Sequence, residues 1–152
     1  MNNLAHTGTV HVDAPPRRAF QLFTAPGEKL WIEEWDPDVL SGGDGRSKNA
    51  VWLTGHGGEQ TIWLVVDYDP EALHARYARV TPGSRAGTVE VFAHEDGQGG
   101  TDVKVSYVLT ALNDEGNKAL AEFGDGNFAQ MMAHWENVIR SSKIDFQASL
   151  FD

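Results

Sequence analysis

Between residues 50 and 112 the chain passes through five apolar segments joined only by short turn sequences, and this constrains the fold more than any other feature. The segments cover residues 50–54, 60–68, 73–80, 88–95 and 101–112, and the links read "GHGGE", "DPEA", "TPGSRAG" and "DGQGG". Each link carries the glycine, proline or aspartate that tight turns require. Strands joined this closely run antiparallel, because a parallel return needs about a dozen residues or more. A curved meander follows. Centring the last hairpins on their links sets Tyr77 opposite Val91, Val91 opposite Val105, Val89 opposite Tyr107 and Ala75 opposite Ala93. One face then collects apolar and aromatic groups, and the other collects His74, Arg76, Glu90, His94, Asp102 and Lys104 as a solvated face. The link at 69–72 leaves the face taken by Trp63 open.

The chain before the meander alternates from 7 to 13, "TGTVHVD", as a half-buried strand does. Ala19, Phe20, Leu22 and Phe23 recur at helical spacing and predict a helix over about 16–24. Thr24 can cap a second helix with Pro26 and Glu28 in its first turn, carrying Trp31 and Trp35 and ending at Asp36, before Pro37. A glycine-rich loop, "SGGDGRSKN", leads into the strands. After them, with Asn113 or Asp114 as cap, an apolar stripe at three-and-four spacing runs through Leu120, Phe123, Phe128, Met131, Met132, Trp135, Val138, Ile139 and Phe146. "FGDGN" at 123–127 predicts a kink or break, followed by a final helix of about twenty residues.

At 152 residues the chain fits one domain, 1–152, large enough to bury roughly two thirds of its unfolded surface. The absence of cysteine excludes disulfides, thiol nucleophiles and cysteine-ligated zinc. The start "MNNLAHTGTV" lacks a secretory pattern and "IWLVV" is too short to span a bilayer, so a cytoplasmic protein with no membrane insertion is expected. A net charge of −10 with scattered lysines and arginines argues against a nucleic-acid partner. The six histidines lack convergent spacing with a third ligand, so no metal site is expected. "TGHGGEQ" lies between strands and lacks the lysine of a phosphate loop, and no GxSxG elbow is present.

The segments "VHVDAPPRRAFQLFT", "PGEKLWIEEWDP", "VDYDPE" and "GTDVKVSYVLTALNDEGN" resemble the SRPBCC, or START-like, superfamily over nearly the whole chain. The likeness is to its polyketide cyclase/dehydrase-like and chaperone-ATPase-activator-like bacterial members. It implies an α+β helix-grip fold: a curved antiparallel sheet wrapped around a long C-terminal helix, with two short helices after the first strand. It also implies an internal cavity for a small apolar or aromatic molecule, with no obligatory cofactor. Trp31, Trp35, Trp52, Trp63, Tyr77, Val91, Tyr107, Met131 and Trp135 are its expected lining, with Trp31 and Trp35 at the mouth. Aromatic pairs at helical spacing serve equally as core. Tyr77, Arg79, Tyr107 and His134 are the candidates for acid–base chemistry, against their use as core rings and a surface histidine. The leading expectation is therefore small-molecule binding, the alternatives being a cofactor-independent cyclase or dehydratase in the same cavity and a co-chaperone-like interaction module. Self-association as a homodimer stays open.

Overall fold

Seven strands form one antiparallel sheet in the computed structural model, which describes residues 2–152 and, at residue 125, the backbone alone. In chain order the elements are β1 (Asn3–Val12), α1 (Pro16–Gln21), α2 (Ala25–Glu28), β2 (Asp38–Ser41), β3 (Val51–His56), β4 (Glu59–Asp69), β5 (His74–Thr81), β6 (Arg85–Glu95), β7 (Thr101–Ala111), α3 (Asp114–Leu120) and α4 (Asp125–Ser141). The strand order is β1-β7-β6-β5-β4-β3-β2, so the meander runs from β2 to β7 and the first strand closes beside the last. This is the helix-grip arrangement expected from the sequence.

Local chemistry explains the turns. The Asp69 carboxylate accepts the backbone N–H groups of Glu71 and Ala72, and that of Asp96 accepts those of Gln98 and Gly100. Asn113 caps α3 by accepting the Gly116 N–H at 2.8 Å. The expected break at "FGDGN" is present: a short 3-10 turn, Ala121–Phe123, ends at Gly124, and α4 then runs for 17 residues. Its Phe128 and Met132 lie on β1 at Gly8, where an added Cβ would stand 2.6 Å from Met132 Cγ. Only glycine lets the helix approach this closely.

The β6–β7 pairs are those expected, Val91 with Val105 and Val89 with Tyr107. The β5–β6 register differs by two residues: Tyr77 faces Val89 and Ala75 faces Val91. The reason is the link, which is only Pro82 to Ser84, with Gly83 at φ 75°, so pairing starts at Thr81–Arg85. A slip of two keeps every side chain on its expected face. Trp63 takes the inner face, and the irregularity between Val65 and Asp67 then lets Tyr68 turn inward to accept a hydrogen bond from Gln21.

Two expectations need correction. The second helix ends at Glu28, and residues 29–37 continue as turns and coil, so Trp31 and Trp35 do not share a helix face. Their indole N–H groups instead donate to the carbonyls of Leu22 and Ala25, both at 2.8 Å, which pins each ring to backbone already in place. The segment Asp38–Ser41, read as part of no element, is an edge strand on β3; it is mostly exposed and so shows no inward alternation.

Val10, Phe20, Leu22, Trp52, Val65, Val103, Val105 and Leu109 are fully or almost fully buried between the inner face and the helices. The outer face is solvated over β5 to β7, where His74 meets Glu90 at 2.7 Å and His94 pairs with Asp102, whose carboxylate reaches His11 at 3.1 Å. Toward β4 it exposes Ile62, Leu64, Val66 and Val80. Among the described residues, no helix is long and apolar enough to cross a membrane, and no group of three or more His, Asp or Glu side chains is placed to hold a metal ion.

Candidate functional site

The inner face divides into two spaces. Deep in the fold, Trp52, Trp63, Tyr77, Val89, Val91 and Val105 enclose a void of about 30 Å³, room for little more than one water. Beyond it a cleft of about 570 Å³ opens to solvent. Trp35, Trp63, Phe123 and Trp135 form its apolar walls, and Glu28, Glu59, Thr61, Arg79, Arg85 and Tyr107 supply polar groups. Glu33, Glu34, His56 and Glu122 stand around the same opening. Glu28, Trp63, Tyr107 and Trp135 border both spaces.

Strand alternation places the aromatic floor. Trp52 and Trp63 are register partners on β3 and β4, stacked with centroids 6.0 Å apart and planes 9° off parallel. Trp35 meets Trp63 edge-on at 5.7 Å, and Tyr77 meets both stacked indoles edge-on. Trp63 donates its N–H to Thr54, and Tyr77 donates its hydroxyl to the Phe23 carbonyl.

Two arginines enter this floor with different partners. Arg85 is buried at 7% exposure and pairs with the Glu59 carboxylate at 3.3 Å and the Ser84 hydroxyl at 3.0 Å, although its Nε has no partner among the described residues. Arg79, at 9% exposure, lies across the Trp63 ring with its guanidinium carbon 4.9 Å from the centroid, and among the described residues its Nε has no partner. Burial pulls its pKa down, yet an arginine this far above neutrality stays charged. Beside it, burial pushes the Tyr107 hydroxyl up to about 12, opposed by the charge of Arg79 and a hydrogen bond with it. Part of Glu28 remains accessible, but its carboxyl sits deep enough that burial pushes its pKa up to about 8, Arg79 only partly opposing the shift. At neutral pH Glu28 therefore holds a proton.

The expected residues distribute unevenly over these spaces. Trp35, Trp63, Arg79, Tyr107 and Trp135 come together at the cleft, while Trp52, Tyr77 and Val91 line the deep void. Trp31 lines neither; it is buried behind them, against Phe23 and Trp135. Met131 and His134 on α4 also line neither, and His134 is exposed. The mouth position expected for both opening tryptophans thus applies to Trp35 alone. Sequence reasoning passed over Glu28, Glu59, Arg85 and Phe123. Glu28 reads as an ordinary first-turn acid, and only its placement under the sheet reveals anything else.

A family described as polyketide cyclase / dehydrase and lipid transport matches residues 5–140. No curated protein matches the sequence significantly. Among solved structures, CalU16 from Micromonospora echinospora is similar at a TM-score of 0.64 and 15% identity, covering 93% of this chain and 76% of that one. Norcoclaurine synthase from Thalictrum flavum, in complex with dopamine and hydroxybenzaldehyde, is similar at a TM-score of 0.63 and 12% identity, covering 94% and 90%. Ara h 8.0201 is similar at a TM-score of 0.60 and 14% identity, covering 89% and 99%. At these identities the likeness is one of fold.

Proposed function

The chain belongs to the polyketide cyclase / dehydrase and lipid transport family, and from its geometry we propose that it binds a small molecule with a flat, apolar body in the outer cleft. The observation that carries this reading is the division of the inner face. The deep void is too small for a ligand, whereas the cleft combines enough volume with walls of Trp35, Trp63, Phe123 and Trp135. Ring faces offer large contact area at low entropic cost, which suits an aromatic or polycyclic guest. The norcoclaurine synthase structure holds aromatic molecules in a similar fold, which supports the same choice.

Calorimetric titration with planar aromatic probes tests it, with tryptophan emission read in parallel. Trp35→Ala is expected to weaken binding about tenfold, the scale of one buried aromatic contact. Unchanged affinity in that variant would place the guest elsewhere.

A second reading has its own support. Glu28, a carboxyl that exchanges its proton near neutral pH, borders the same cleft as Arg79 and Tyr107. A carboxyl able to give up and regain a proton, beside a cation and a hydroxyl, is the minimum for an acid–base reaction of cyclase or dehydratase type. His134 is exposed on α4 and lines neither space, so this reading does not use it. Conversion of a bound polyketone by the protein, lost in Glu28→Gln, would favour this reading over binding alone.

A further inference from the structure

We propose that the ligand carries an anionic oxygen group, a carboxylate or its chemical equivalent, which the Arg79 guanidinium receives at the floor of the cleft beside Tyr107. The inference rests on the small-molecule reading above and names the class of that molecule.

Its basis is the contrast between two equally buried arginines. Arg85 meets Glu59 and Ser84, whereas Arg79, among the described residues, has no carboxylate in ion-pair contact. A buried cation without a counter-charge is far more costly than a paired one. The acids that act on it do not relieve it, because Glu59 is paired with Arg85 and Glu28 carries its proton at neutral pH. The indole of Trp63 covers one face of the guanidinium and orients it without using its N–H edge. The guanidinium borders the cleft, and its N–H groups suit the two oxygens of a carboxylate; what separates Arg79 from Arg85 is the missing counter-charge, since the Nε of both is buried without a partner among the described residues. Tyr107 lies within reach of the same group, and its hydroxyl keeps its proton at all physiological pH, so it can donate a further hydrogen bond.

The surroundings argue that this attraction is local. The protein's net charge is −10, and Glu33, Glu34, Glu59 and Glu122 line the opening. This field repels anions and attracts cations at long range. An anion held here is therefore held by Arg79 and not by the surface, and the opposite case, a cationic guest drawn to the acidic rim, is the direct competitor.

Three probes of nearly equal shape separate these cases: 2-naphthoate, 2-naphthamide and 2-naphthylmethylamine, titrated calorimetrically at pH 6.5. The expected order is naphthoate tightest, then amide, then amine. Arg79→Gln is expected to lower naphthoate affinity about ten- to a hundredfold and to move amide affinity less than about threefold, since one charge-assisted contact is lost and the ring contacts remain. Arg79→Lys keeps part of the naphthoate preference. Urea midpoints of both variants report folding, and should Arg79→Gln fail to fold, the wild-type probe order still decides. Amide or amine binding as tightly as naphthoate overturns the anion assignment while leaving the small-molecule reading intact. No binding of any probe overturns both.

Discussion

At the deep end of the inner face, Trp52, Tyr77 and Val91 close over about 30 Å³; at the open end, Trp35, Phe123 and Trp135 stand apart around about 570 Å³. Both ends are rich in aromatic residues, so residue type does not separate them. The difference lies in what is interleaved with the rings. At the deep end the neighbours are valines, and the Tyr77 hydroxyl is spent on the Phe23 carbonyl. At the open end, Arg79 and the Arg85–Glu59 pair intervene, and charged groups do not close against one another and against rings without losing hydration. Rings among aliphatic side chains become core, and rings among charges become a binding wall.

Substitutions along this axis test the division, beginning with the largest effect. Trp52→Ala removes a 2% exposed indole and is expected to cost about 3–5 kcal/mol in urea melts. A loss below about 1 kcal/mol would mean that the deep end is not the packed half. Trp135→Ala lies on the boundary. Full burial would give the same large cost, but the ring is only half-buried and borders both spaces, so a loss of about 2–3 kcal/mol is expected together with weaker probe binding.

Glu28→Gln separates the two ends by pH. The folded pKa of about 8 lies above the ordinary 4.5, so between these values the folded state binds more protons than the unfolded one and stability falls as pH rises. Glutamine removes that loss. Partial exposure discounts the effect, leaving a gain of roughly 2 kcal/mol over wild type at pH 8 and above, with none below about pH 4.5. In the wild type, ionising Glu28 also places a negative charge facing Arg79 and Tyr77 on β5 and Tyr107 on β7, with Glu59 on β4 and Arg85 on β6 close by. Naphthoate affinity should therefore drop as pH passes about 8, and Glu28→Gln should flatten that profile. A flat wild-type profile would remove Glu28 from the site.

Trp35→Ala should cost only about 1 kcal/mol of stability while weakening the probes about tenfold, the inverse of Trp52→Ala. His134→Ala, on the exposed side of α4, should change stability by less than about 0.5 kcal/mol and binding not at all, as seen in melts and titration. A binding defect there would restore the histidine to the acid–base set.

Much of this architecture is legible without coordinates, because its signals are local. Alternation with a period of two places Tyr77, Val91 and Tyr107 inward whatever the register, which is why a two-residue slip in β5–β6 leaves the inner face unchanged. The break before α4 and the cap of α3 are written in "FGDGN" and Asn113. The end of α2 was not legible, because the indoles of Trp31 and Trp35 turn back to the carbonyls of Leu22 and Ala25, nine and ten residues earlier, a separation that helical spacing does not record. The edge strand Asp38–Ser41 left no signal because, Val39 apart, its side chains are exposed.

The sequence by itself thus determined an antiparallel meander, a broken helical C-terminal region and the inward rows of aromatic side chains, since each follows from spacing along the chain. Only the tertiary structure decided which rings became floor and which became wall, that Glu28 keeps its proton at neutral pH, and that, among the described residues, Arg79 lacks the carboxylate that Arg85 has. The physical reason is that burial and charge pairing depend on distances between residues far apart in sequence. Glu28 and Arg79 are 51 positions apart, and nothing in either one's neighbours records that they share a dry corner of the same cleft.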